Sequence, residues 1–226
     1  MANEFTGFTT ESFRFLNGLR KNNAKQWFEA HKSEYQEHVL KPLQALVTEL
    51  APIMLGIDHF LEATPALNKT ISRIYRDTRF SRDKSPYKAN HWITFKRPRK
   101  DWNNFPAFFF ELSPDTYRYG MGYYAADRAT MDDFRKSIES TPASFLAATA
   151  FYKHESFVLE GAAYKRPLKV DIPTLLQDWY NRKSFYLVCN RQVQGNVIDT
   201  SLATELASAF ESLDPLYRYL LKVTSQ

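Results

Sequence analysis

Eighteen residues in the middle of the chain, Ile71 to Lys88 (ISRIYRDTRFSRDKSPYK), carry a dense set of groups able to do chemistry. Six cations, Arg73, Arg76, Arg79, Arg82, Lys84 and Lys88, stand there with two acids, Asp77 and Asp83, two tyrosines and a Ser-Pro step. Guanidinium groups hold carboxylate and phosphate oxygens through charge-assisted, often paired hydrogen bonds, so such a cluster points to an anionic ligand. In that reading Arg73, Arg76, Arg79, Arg82, Lys84 and Lys88 hold the anion. Asp77 orients the arginines or serves as a catalytic base, and Tyr87 donates a hydrogen bond. Ser85 before Pro86 has the form of a helix cap and first turn, which would add free backbone N–H groups and the positive end of a helix dipole. The competing reading needs no ligand. Asp77 and Asp83, joined by Glu111, Asp127, Asp132 or Asp133 from elsewhere, would then neutralise the arginines in an internal ion-pair network. Arg135, on a later helix, either reaches the same cleft or pairs with Asp132 or Glu139.

Charge distribution sharpens the choice of ligand. The net charge is +5, yet residues 69–100 carry 11 lysines and arginines against two acids, while 6 face 8 in residues 1–68 and 13 face 15 in residues 101–226. The basicity is local. A focused segment suits a pocket for a particular anion, a small molecule or a phosphate group, better than general adhesion to polyanions. A surface for nucleic acid or for a protein partner at residues 69–100 is the alternative, and the basic run KRPRKDW from Lys96 fits it.

The elements that must position this segment can be read from periodicity. Phe13, Leu16 and Leu19 give a helix over 10–20, and Asn23 with Gln26 looks like a capping box opening the next. Leu43, Leu46, Val47, Leu50, Ile53 and Met54 mark a third helical stretch. Residues 71–76, 91–96, 107–112 and 117–124 are short and rich in aromatic and β-branched types, as strands are. Ser113-Pro114-Asp115-Thr116 should turn the last two into a hairpin. Helices follow from Thr130, from Thr141-Pro142 and around Leu175 to Tyr180, then a strand at 184–189. A helix with Leu202, Leu206, Phe210 and Leu213 comes next, with a short turn after Pro215. Helices, then strands, then helices predict an α+β fold, a mostly antiparallel central sheet flanked by N-terminal and C-terminal helices. At 226 residues and 44% hydrophobic content one domain over 1–226 is expected.

Four stretches carry a resemblance: NNAKQWFEAHKSEY, the central RIYRDTRFSRDKSPYK, GMGYY with MDDFRKSI, and YKRPLK with NRKSF. Through them the chain resembles the bacterial proteins grouped as domain of unknown function family 2461, over residues 5 to about 190. The resemblance implies no activity.

Other groups explain themselves more simply. His31, Glu34 and His38 have ligand spacing on one helix, but His31 shares its side with Phe28 and Tyr35, so a core helix is expected and no metal. Gly120 and Gly122 leave a strip of strand without side chains, for close packing or for a ligand. Phosphate-loop, dinucleotide and serine-hydrolase motifs are absent, and no cofactor is implied. The single cysteine, Cys189, excludes an internal disulfide. With an N-terminal stretch lacking an apolar leader and no run of eighteen apolar residues, a cytoplasmic protein without a membrane span is expected.

Overall fold

The computed structural model describes residues 4–79, 82–153, 156–168 and 171–224. The fold is α+β, with a five-stranded antiparallel sheet and helices at both ends of the chain. The strands are β1 (His91–Phe95), β2 (Pro106–Leu112), β3 (Thr116–Tyr123), β4 (Val158–Glu160) and β5 (Tyr186–Gln192), ordered β1-β2-β3-β5-β4. The β2–β3 turn closes through Ser113 N–H donating to the Thr116 carbonyl, 2.8 Å. In β4, Leu159 pairs with Leu187 of β5.

By its contacts the chain divides into two compact units, residues 1–95, 109–119 and 190–208, and residues 96–108, 120–189 and 209–226. In the first, α1 (Thr10–Lys21), α2 (Lys25–Ala30), α3 (Lys32–Tyr35) and α4 (Lys41–Ile57) supply the apolar faces, α3 and α4 being joined by a π-helical turn, Gln36–Leu40. Residues 32–57 thus form one run long and apolar enough to cross a membrane by length and composition. Its Leu43, Leu46, Val47, Leu50 and Met54 are buried within this unit, as the inner face of a core helix would be. Phe8 stacks on Phe110, centroids 6.1 Å apart.

The second unit packs α5 (Arg128–Ser140), α6 (Pro142–Ala148) and α7 (Thr174–Tyr180) around Phe134, Phe145, Trp179 and Phe185, whose rings meet edge to face or tilted at 4.9–5.5 Å. Gly120 and Gly122 take the close-packing role. A Cβ on Gly120 would collide with the Leu187 carbonyl, and one on Gly122 with the backbone of Phe185 and Tyr186. The last helix, α8 (Ser201–Thr224), continues through Pro215 instead of stopping before it. Proline costs a helix about 3 kcal/mol, but Leu213, Leu216, Tyr217 and Leu220 around it are fully buried and outweigh that cost.

Candidate functional site

The central segment lies in the first unit and is not the strand and helix expected of it. Ile71 bridges Ile93, whereas Tyr75 bridges Tyr87, so the partner changes within four residues and no continuous ladder forms. From Ile74 onward the chain folds back on itself. Arg76 N–H donates to the Pro86 carbonyl and Lys88 N–H to the Ile74 carbonyl, both 2.8 Å. No helix begins at Ser85. The backbone N–H of Tyr87 is given to the Asn23 Oδ1 and its carbonyl accepts from Asn23 Nδ2, each at 3.0 Å, so these groups are committed elsewhere. The expected helix-end anion site at Lys84, Ser85 and Lys88 therefore loses its dipole. Asn23, read as a helix cap, is instead the clamp that fixes the returning arm.

The outcome is a narrow ribbon with an exposed tip and a buried base. At the tip, Arg79 grips Asp77 through two hydrogen bonds of 3.0 and 2.7 Å, and its own N–H adds a third at 3.2 Å. These hold the Asp77 carboxyl well below the usual range, so it is ionised but weakly basic, and an orienting role suits it better than proton abstraction. Asp83 accepts from Ser85 N–H, 2.9 Å, and pairs with Arg76, 3.1 Å. Lys84 donates to the Thr78 carbonyl, 2.7 Å. Phe80 and Ser81 lie outside the described residues.

The acids expected from other parts of the chain are engaged in other pairs. Glu111 is buried and accepts from Asn90 and Arg118. Asp127 caps α5 at Thr130, 2.8 Å; Asp132 pairs with Arg135; Asp133 pairs with Lys136. Among the described residues Arg73, Arg82 and Lys88 have no carboxylate at ion-pair distance, although the charge of Arg73 helps to keep Asp77 ionised. The internal network is thus real but partial: it accounts for Arg76 and Arg79 and leaves positive charge over.

Of that remainder Lys88, with Arg73 acting on it, adjoins a buried polar cluster at the ribbon's base. Burial, reinforced by Arg73 and Arg76, pushes the Lys88 ammonium below its ordinary pKa. His91, the first residue of β1, is 0% exposed, and neither ring nitrogen has a partner. Burial and the charge of Lys88 take its pKa down to about 3, so the ring stays neutral. Its ring lies 5.5 Å from that of Tyr35 on α3, whose buried hydroxyl is also unpartnered and raised to about 12 by burial, with Tyr75 adding to the shift. Arg76 Nε is a further buried atom without a partner. Phe28 on α2 closes the floor, its ring 4.5 Å from Tyr87 and 5.7 Å from Tyr35. Tyr87 itself is packed there, 5.3 Å from Tyr75.

Tyr35 and His91 were missed as site residues. A signal existed: His91 occupies the inward register shared with Ile93 and Phe95, where a polar ring needs a reason.

Arg135 makes its contacts within its own unit. It is buried in the second unit, where Nε donates to the Tyr180 carbonyl (3.0 Å), one amino group to the Arg182 carbonyl (2.7 Å) and the other to Asp132 (2.7 Å). The pairing with Asp132 is the one expected of its helical spacing. His31 stacks on Trp27 at 4.0 Å with Nδ1 against the Trp27 carbonyl, 2.7 Å, and no group of three metal-ligating side chains occurs among the described residues.

No curated protein matches the chain. A family model does, across residues 11–219, and its description is that of a conserved hypothetical protein. On that match the chain belongs to the domain of unknown function family 2461, DUF2461.

Proposed function

We propose that the protein binds a small phosphate-bearing or similarly anionic ligand at the base of the central ribbon, in the first unit. The observation that carries this reading is the set of buried polar atoms without partners, Tyr35 Oη, Arg76 Nε and both nitrogens of His91, beside the cationic groups of Arg73 and Lys88. Each unpaired buried polar atom costs roughly 1–3 kcal/mol. A fold that keeps several together, beside a lysine whose charge is disfavoured by burial and by two arginines, is arranged for a ligand that can pair with them. Phosphate oxygens accept from guanidinium, ammonium, phenol and imidazole N–H at once. A neutral His91 also offers an acceptor nitrogen to a protonated ligand oxygen. Asp77 and Asp83 hold Arg79 and Arg76 in place, and Arg82 and Lys84 at the exposed tip draw the anion inward.

Thermal unfolding with millimolar inorganic phosphate or pyrophosphate tests the proposal. The melting temperature should rise with either anion in the native protein and stay flat in Arg76→Gln and Lys88→Gln. Equal rises in native protein and variants, or none in any of them, would overturn it. A binding surface for nucleic acid at residues 69–100 draws on the exposed Arg73, Arg79, Arg82 and Lys84. Its signature is different: binding to a single-stranded oligonucleotide that collapses between 50 and 200 mM salt.

A further inference from the structure

The second unit contains a cavity that the reading above does not use. It has a volume of about 530 Å³ and is lined by Arg128, Met131, Asp132, Arg135, Tyr164, Leu168 and Lys183. That size is in the range of small-molecule sites. Arg128, Met131, Asp132 and Arg135 come from one face of α5, at steps of three and four residues, so a single helix face forms one wall.

The opposite wall is tied down by backbone pairing. Tyr164 N–H donates to the Asn181 carbonyl at 2.9 Å and Lys183 N–H to the Ala162 carbonyl at 2.6 Å. Leu168 N–H donates to Asn181 Oδ1 at 2.7 Å, and Arg182 to the Gly161 carbonyl at 2.8 Å. Arg135 joins the two walls through the Tyr180 and Arg182 carbonyls. The backbone of that wall is therefore fixed in advance of any ligand, which lowers the ordering cost of binding.

Its charge is unbalanced. Three cations line it against one acid, and Asp132 is already shared between Arg135 at 2.7 Å and Arg128 at 3.5 Å. Lys183 has no carboxylate among the described residues. Its ammonium lies 5.3 Å from the Tyr164 ring, and the Arg135 guanidinium lies 5.3 Å from the same ring. The partly exposed Leu168 and the Tyr164 ring supply apolar surface beside these charges, whereas Met131 is buried.

We infer that this cavity is a second binding site, for a small organic acid whose carboxylate meets Lys183 and Arg128 while its hydrocarbon body lies against Leu168 and the Tyr164 ring. Paired requirements follow: the acid group without the body, or the body without the charge, binds poorly.

Ligand-observed NMR with octanoate, octanamide and inorganic phosphate tests this on the full chain. Octanoate should bind saturably, and octanamide and phosphate at this site about tenfold or more weakly, as loss of a charge-assisted contact implies. Lys183→Gln should weaken octanoate by a similar factor. Lys183 is exposed, so the variant should fold, and an unchanged circular dichroism melt checks that it has. Lys88→Gln, in the first unit, should leave octanoate binding as it was, which separates this site from the phosphate site proposed above. Octanamide binding as tightly as octanoate, octanoate binding indifferent to Lys183→Gln, or no saturable binding of octanoate would each overturn the inference.

Discussion

Replacing His91 by phenylalanine should flatten the acid dependence of stability. The sign follows from where the proton goes. His91 is fully buried in the folded protein with a pKa of about 3, against 6.5 for a free imidazole. Below pH 6.5 the unfolded chain takes up a proton that the folded chain refuses, so stability is fully present above that pH and falls as pH drops toward 3. Linkage puts the loss between pH 8 and pH 5 at about 2 kcal/mol, and the total by pH 3 at about 4 kcal/mol. Urea unfolding of the native protein and of His91→Phe at pH 8 and pH 5 measures it, because the carboxylates common to both cancel in the difference. The variant should lose about 2 kcal/mol less than the native protein on going to pH 5. Identical losses would mean that His91 takes up its proton while folded, and the picture of a sealed, neutral imidazole beside Lys88 would be wrong. At pH 8 and without added anion the variant should be as stable as the native protein or more so, since it removes two unpaired buried nitrogens.

Asn23→Ala removes both side-chain hydrogen bonds to the Tyr87 backbone, and urea unfolding should show a loss of about 1–3 kcal/mol. The same variant should weaken the response to phosphate, because the arm carrying Lys88 is no longer clamped. Gly120→Ala drives a methyl group into the Leu187 carbonyl, so thermal unfolding should report a loss of roughly 1–3 kcal/mol or more. Arg135→Met leaves the Tyr180 and Arg182 carbonyls unpaired in the second unit, and should cost about 3 kcal/mol by denaturant titration.

Much of the fold was legible because aromatic and β-branched residues crowd into short runs. Strands β1, β2 and β3, their hairpin and the amphipathic α5 all follow from local pattern. Other features escaped it for definable reasons. Strand β4 has three residues, too few for any periodicity. The helix at Ser85 failed because a side chain 64 residues away captures the Tyr87 backbone, a tertiary contact invisible to capping rules. Proline at 215 stops isolated helices, but here the buried stripe around it decides. The chemistry showed the same division. Local surplus of charge marked out the Arg/Lys segment, while the buried polar atoms beside it belong to Tyr35, far away in sequence, and to His91, just past its end, both of which look like ordinary core residues until their unpaired atoms are seen. Of the two alternatives for Arg135, the pairing with Asp132 three residues before it is the one observed, and helical spacing alone was enough to suggest it.

The binding proposal rests on the buried imidazole and phenol meeting a ligand, and histidine-selective nitrogen-15 NMR reads that contact directly. On titration with inorganic phosphate, the His91 ring signals should shift and saturate while those of His31 and His59 stay still. In Lys88→Gln the His91 shift should disappear. A His91 signal that ignores phosphate, or that moves in step with the other histidines, would contradict the site.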